Sequence, residues 1–379
     1  MNHLKKIYII AGEASGDLHG SNLVKALLLL QPELVVRAWG GDLMEQAGAQ
    51  VVKHYRDLAF MGFAEVVMNL RTILGNIRFC KEDVLAFAPD ALILIDYPGF
   101  NLRIAEWARE RGIPVFYYIS PQVWAWKKNR VEKIRKFVNH MYVVLPFEKE
   151  FYSRYNYEVE FVGHPLLDVV AEQGARTTST SFCEKHSLPV RPIIALLPGS
   201  RKQEISAMLP LMLTAAEKFK GYQFVVAGAP GRSRDDYQPF LLQSNVSLIF
   251  DATYELLSAA AAGLVTSGTA TLEAALFEMP QVVCYKANPI SYWIAKRVVK
   301  VKYISLVNLI LDREAVKELI QDDLNAGQLE HELRVLLEDQ PTIERLKTDY
   351  KELFRKLGGP GASAKVASRV LKSPEMTAR

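Results

Sequence analysis

The amino-acid sequence predicts an α/β protein made of two doubly wound parallel-sheet domains. Three observations carry this. Short, almost wholly apolar runs such as Ala91–Ile95 and Ile193–Leu197 recur along the chain, each followed by a turn and a helical segment. That is the pattern of βα units whose strands are buried on both faces. The alternation lapses at the polar, Ser/Thr-rich stretch Gly174–Ser181 and then restarts, as at an interdomain junction. The chain of 379 residues is also too long for one small core. We expect a first domain over residues 1–168, a second over 169–341, and a C-terminal helical segment over 342–379 that packs back on the first.

In the first half, Ile7–Ala11 is a strand and the Gly-rich stretch Gly12–Gly20 reads as a loop before a helix over Ser21–Leu30. The stretch is neither Gly-x-Gly-x-x-Gly nor a Walker A motif, so neither a nicotinamide cofactor nor ATP follows. Its Glu13, Ser15, Gly16, Asp17 and His19 either meet a polar ligand or serve turn and cap. Val35–Trp39 is the second strand, with a helix near Asp42–Ala47. Residues Ala59–Leu70, with Phe60, Met61, Phe63, Val66 and Val67, are too few to span a bilayer and too apolar for a surface helix. They read as an acyl-chain or membrane patch, or as a buried core helix.

Strand Ala91–Ile95 runs into Asp96-Tyr-Pro-Gly-Phe-Asn101. A carboxylate at the carboxyl tip of a parallel strand faces the ligand crevice, which suits Asp96 to general-base work; a cap before Pro98 is the alternative. Val115–Ile119 follows, then Ser120–Trp126. Six of the ten residues 127–136 are basic, including Lys127, Lys128 and Arg130. With Trp124 and Trp126 beside them they suit an anionic membrane surface or a phosphorylated substrate, or else form a solvated helix. Met141–Leu145 is a further strand.

In the second half, Ile193–Leu197 leads into Pro198-Gly199-Ser200-Arg201, and Tyr222–Ala227 into another Gly-containing turn. Val246–Phe250 precedes a helix over Tyr254–Ala262. Then comes Leu264–Pro280, read as a strand end, a turn at Ser267-Gly268 and a helix from Thr269. Free N–H groups and the positive end of the dipole favour phosphate at such a terminus. Ser267, Gly268, Thr269, Ala270 and Thr271 would line it, Glu273 would accept from a ribose, and Arg201 would pair with a phosphate. Gln281–Tyr285 is the next strand. Asn308, expected in a loop or strand end, would read a nucleobase or sugar. Helices are expected from Glu314 onward.

The totals exclude several classes. A net charge of +4 is too small to argue for nucleic acid. Cys80, Cys183 and Cys284 lie far apart with no Cys-x-x-Cys, which suggests a reduced, cytosolic protein without a zinc site. No signal peptide and no uncharged apolar run of membrane-spanning length is present. The absence of Asp-x-Asp leaves no expected metal or other cofactor to carry a diphosphate. Arg201, the Thr269 helix and backbone N–H groups would do so instead.

The ordered set of motifs resembles one family, the bacterial lipid-A-disaccharide synthases. It comprises Ala11-Gly-Glu-Ala-Ser-Gly-Asp17, Phe60-Met-Gly-Phe-Ala-Glu-Val66, Asp96-Tyr-Pro-Gly-Phe-Asn101, Ser120-Pro-Gln-Val-Trp-Ala-Trp126, Pro146-Phe-Glu148, Phe161-Val-Gly-His-Pro165, Leu197-Pro-Gly-Ser-Arg201 and Ser267-Gly-Thr-Ala-Thr-Leu-Glu273. Val307 stands where the family usually has Pro before the Asn, and Ala38-Trp-Gly-Gly-Asp42 replaces a more Gly-rich run. The resemblance implies two Rossmann-like domains facing a crevice, the GT-B architecture. It implies a metal-independent, inverting glycosyltransferase that moves 2,3-diacylglucosamine from UDP to the 6-hydroxyl of 2,3-diacylglucosamine 1-phosphate. Asp96 would be the base, with Asp17 and His19 in reserve. Glu13, Ser15, Gly16 and Asn101 would line the acceptor loops, and residues 199–201, 267–271, 273 and 308 would hold the donor. The family works on the cytoplasmic face of the inner membrane as a peripheral protein, commonly as a homodimer. A non-hydrolysing UDP-N-acetylglucosamine 2-epimerase and a non-catalytic nucleotide-sugar binder or membrane adaptor are the competing readings.

Overall fold

The computed structural model describes residues 6–58, 70–124, 130–172, 177–242, 245–288, 292 and 301–377. They fall into two compact units, Met1–Asp168 with Gly358–Arg379, and Val169–Leu357. The first unit is a seven-stranded parallel sheet. Its strands are β1 (Lys6–Ala11), β2 (Val35–Gly40), β3 (Gln50–His54), β4 (Ala91–Ile95), β5 (Val115–Tyr118), β6 (His140–Val143) and β7 (Glu160–Phe161), in the order β3-β2-β1-β4-β5-β6-β7. All five residues of β4 are buried, because helices cover both faces of the sheet. Each such Leu or Ile contributes about 1.5–3 kcal/mol by leaving water.

The second unit repeats the plan with β8 (Ile193–Leu197), β9 (Gln223–Gly228), β10 (Ser247–Phe250), β11 (Ala260–Thr266), β12 (Gln281–Tyr285) and β13 (Lys317–Ile320). Their order is β10-β9-β8-β11-β12-β13, again all parallel. Each sheet therefore reverses its winding once, between β1 and β4 in the first unit and between β8 and β11 in the second. Ligands of doubly wound sheets bind beyond the carboxyl ends of the strands at that reversal.

Several expectations from sequence are corrected. The Gly-rich stretch after β1 is not a loop; the helix already starts at Ala14 and runs to Leu30. Its small residues serve close packing, since a Cβ on Gly16 would stand 3.1 Å from that of Ala11. Residues Ala260–Ala262, expected in a helix, open β11, because pairing with β8 outweighs the helix propensity of alanine. The region after Glu314 is not purely helical: Lys-Glu-Leu-Ile forms the edge strand β13, where charged residues are tolerated. Helix Ser179–Lys185, capped by Thr178, occupies part of the stretch read as a junction loop.

The helix Gln340–Lys356, expected to return to the first half, packs within the second unit. Its Tyr350 hydroxyl donates to the Met279 carbonyl at 3.2 Å, and Asp349 pairs with Arg313 at 2.7 Å. Helix Ala362–Leu371, after the breaker Gly358–Gly361, belongs to the first unit and packs on Ala14–Leu30. Asp168 clasps its start, accepting from the backbone N–H groups of Gly361 and Ser363. Among the described residues no helix is long and apolar enough to cross a membrane.

Candidate active site

At the reversal of the first sheet, the turns after β1 and β4 interlock. A Cβ on Gly12 would stand 2.4 Å from the Tyr97 ring, so only glycine lets the ring lie there. Asp96 leaves β4 with φ +43°, and Tyr97 follows with φ +49°. Both are left-handed and neither is glycine, a strained conformation of the kind found at functional sites. The Asp96 N–H donates to the Tyr118 carbonyl at 3.2 Å. Its own carbonyl accepts from Asn101 Nδ2 at 2.7 Å and from the Tyr117 hydroxyl. Burial pushes the Asp96 carboxyl up from 3.8 to about 7, and the nearby Glu13 carboxylate adds to the rise. An acid with a pKa near 7 is matched to taking a proton at neutral pH.

The other residues expected around it divide. Glu13 takes the N-cap position of helix Ala14–Leu30, and Ser15 lies exposed on its first turn. Asp17 is a structural residue: its buried carboxylate accepts from the N–H groups of Gly41, Leu43 and Met44 at 2.7, 3.2 and 3.1 Å, capping helix Asp42–Gln46. A carboxylate so engaged is not free to act as a base. His19 is buried against the ring of His164, centroids 6.5 Å apart, and burial draws it down to about 4. It is a weak proton acceptor. Asn101, expected to line an acceptor loop, is fully buried with its amide turned to carbonyls of the protein core.

Further along this edge, Trp124 is not an exposed anchor; it is half-buried with its ring edge-on to Phe147 at 5.0 Å. Helix Arg130–Phe137 buries Val131 and Ile134 and starts with a half-buried Arg130. Its Lys133 and Arg135 pair with Glu106 and Glu132. Phe60, Met61, Phe63, Val66, Val67, Trp126, Lys127 and Lys128 lie outside the described residues.

Two groups were missed from sequence. The Tyr117 hydroxyl hides in the apolar run Val-Phe-Tyr-Tyr, where only a polar tip on a buried strand signals it. Glu148 is buried and pushed up to about 7 by that burial, although it accepts from the Val144 and Leu145 N–H groups. In sequence it is marked only by its place in Pro146-Phe-Glu148.

At the reversal of the second sheet, the turns after β8 and β11 stand side by side. Glu204 braces the first, accepting from the Ser200 and Arg201 N–H groups at 3.0 and 3.2 Å and pairing with Arg201 Nη1 at 3.0 Å. The Arg201 side chain remains 56% exposed and so can turn to an anion. In the second turn Gly268 is the N-cap of helix Thr269–Leu276, and among the described residues no side-chain hydrogen bond caps that helix. Gly268 has φ +153°, and among the described residues no atom beyond its chain neighbours lies within 4 Å of where its Cβ would stand. Thr271 Oγ1 donates to the Gly268 carbonyl at 2.8 Å, Ser267 Oγ to that of Ile304 at 3.0 Å, and Thr269 is exposed. Ala270, on the same turn, is half-buried. Glu273 accepts from the Tyr254 hydroxyl at 3.0 Å, and burial raises its pKa.

Asn308 does not join this group. It lies in helix Leu306–Leu311 rather than a loop, fully buried, with Nδ2 on the Val316 carbonyl and Glu318 and Oδ1 on the N–H groups of Ala315 and Val316, all at 2.8–2.9 Å. Every hydrogen-bonding position of its amide is spent on the protein, so it cannot read a base.

The family model "Lipid-A-disaccharide synthetase" matches residues 7–372. A lipid-A-disaccharide synthase of Trichlorobacter lovleyi is 39% identical over 380 residues, covering 98% of each chain. One of Syntrophus aciditrophicus is 40% identical over 375 residues, 97% of each. Among solved structures, UDP-GlcNAc 2-epimerase from Neisseria meningitidis bound to UDP-GlcNAc superposes with a TM-score of 0.66 at 15% identity, over 97% of this chain and all of that one. A calicheamicin glycosyltransferase does so at 0.61 and 17%, over 99% of this chain and all of that one. At such identity the two structures speak to the fold alone.

Proposed function

Because the chain belongs to the lipid-A-disaccharide synthase family, we propose that Asp96 is the general base of its glycosyl transfer and that the second unit holds the UDP-sugar. The protein is a glycosyltransferase of lipid A biosynthesis. The reaction joins 2,3-diacylglucosamine, leaving UDP, to the 6-hydroxyl of 2,3-diacylglucosamine 1-phosphate. Asp96 takes the hydroxyl proton as the oxygen attacks the anomeric carbon, and the C–O bond to the diphosphate breaks on the opposite face, inverting the centre. The negative charge on departing UDP is met by Arg201 and by the uncapped N-terminus of helix Thr269–Leu276. Glu273, oriented by Tyr254, accepts from the ribose.

The observation that carries this reading is the Asp96 carboxyl, poised near 7 at the sheet reversal. The acyl chains of both substrates favour work at the cytoplasmic face of the inner membrane, the protein acting as a peripheral homodimer. Co-sedimentation with vesicles and the solution mass test those two points. The decisive experiment supplies both substrates and EDTA to the purified protein. Disaccharide 1-phosphate and UDP in equal amounts are expected. Asp96→Asn should bind UDP normally and lose about 10²–10⁴ in turnover; near-normal turnover would remove Asp96 from the role.

A further inference from the structure

We infer that Tyr117 and Asn101 are positioning residues for Asp96: from two different elements they grip its backbone carbonyl and hold its carboxyl where the reaction needs it. The inference rests on the reading of Asp96 as the base.

Consecutive left-handed residues that are not glycine persist only where their surroundings over-determine them. Asp96 and Tyr97 are such a pair. The Asp96 carbonyl lies beyond the last residue of β4. It is claimed instead by Tyr117 on β5 and by Asn101 on helix Pro98–Arg109. Asn101 Nδ2 also faces the carbonyls of Ile95 at 3.2 Å and Ile10 at 3.5 Å, so one amide ties the ends of the two strands that flank the sheet reversal. Both side chains are fully buried, with no surface left for a substrate to contact. They act through Asp96 alone. The Tyr97 ring, packed over Gly12, closes the other side of the same turn.

Among the described residues the charged and titratable groups around Asp96 are Glu13 from the turn after β1, Tyr97 beside it and Tyr117 beneath it; Tyr117 in turn faces Tyr152 and Arg130. Freeing the carbonyl lets the carboxyl swing toward water, away from the burial that raises its pKa.

Tyr117→Phe removes one hydroxyl from a packed ring. We expect kcat to fall about 10–100-fold, the scale of a misplacement near 1 Å, with KM for both substrates within about twofold of the parent. The acid limb of the kcat–pH profile should move to lower pH. Asn101→Ser should do the same, and it decides the question if Tyr117→Phe does not fold. A kcat within about threefold of the parent, or a loss of kcat with an unmoved acid limb, would overturn the inference. Asp96→Asn separates the two readings. If it retains turnover, the base assignment falls; if it is inactive while Tyr117→Phe and Asn101→Ser are normal, only the positioning role falls.

Discussion

Replacing Asp96 with Asn should cost the enzyme its activity and make the first unit more stable at pH 8. The carboxyl has a pKa of 3.8 in the unfolded chain and about 7 in the folded one. Between these values the folded state keeps a proton that the unfolded state has lost, so stability falls as pH rises through the window. Above 7 the full cost is present; below 3.8 both states are protonated and it vanishes. About three pKa units at 1.36 kcal/mol each set a ceiling of about 4 kcal/mol. Asp96 keeps some exposure to solvent, and water beside it reduces the effect to about 2 kcal/mol. For a unit of this size that is about 4–8 °C in melting temperature. Trp39, Trp107, Trp124 and Trp126 belong to the first unit, so tryptophan fluorescence reports mainly its unfolding. Melts of parent and Asp96→Asn at pH 8 and pH 4 should show the gain at pH 8 and little of it at pH 4. A variant less stable at pH 8, or a gain unchanged at pH 4, would refute the burial argument.

Asn308→Ala should destabilise the second unit by about 2–4 kcal/mol, since it orphans buried partners on two segments. UDP affinity of the folded fraction should stay within about twofold, which urea unfolding and calorimetric titration check; a selective loss of UDP binding would restore Asn308 as a ligand. Gly268→Ala puts a methyl group into the open space before helix Thr269–Leu276 and strains φ. UDP affinity should drop about tenfold or more while the melting temperature falls by only a few degrees, and unchanged affinity would move the diphosphate elsewhere.

The central parallel strands are legible because apolar runs of five residues bounded by turn residues are too short for helices. Ala91–Ile95, Ile193–Leu197 and Gln281–Tyr285 lie where the apolar runs put them. Two edge strands are not: Glu160–Phe161 and Lys317–Ile320 carry charges that read as helix or loop until a neighbouring strand supplies the pairing. The positions of Asp96 and Gly268 followed from strand ends alone. What sequence could not supply was the direction in which a polar group spends its hydrogen bonds. Asp17, Asn101 and Asn308 sit in motifs as a ligand-binding residue would, yet each turns inward to groups of the protein, from 8 residues away for the Asn308 amide to 91 for that of Asn101. Only the folded backbone shows those partners.

The clasp of Asp168 on Gly361 and Ser363 has a consequence for how the protein is made. Helix Ala362–Leu371 covers Ala14–Leu30, so two segments separated by more than three hundred residues must meet before the first unit is complete. During synthesis the whole of Val169–Leu357 emerges in between. That stretch holds every strand of its own sheet and can fold as soon as it leaves the ribosome. The half of the molecule translated first is thus the half finished last. Until then the side of Ala14–Leu30 that Ala362–Leu371 covers stays open to water.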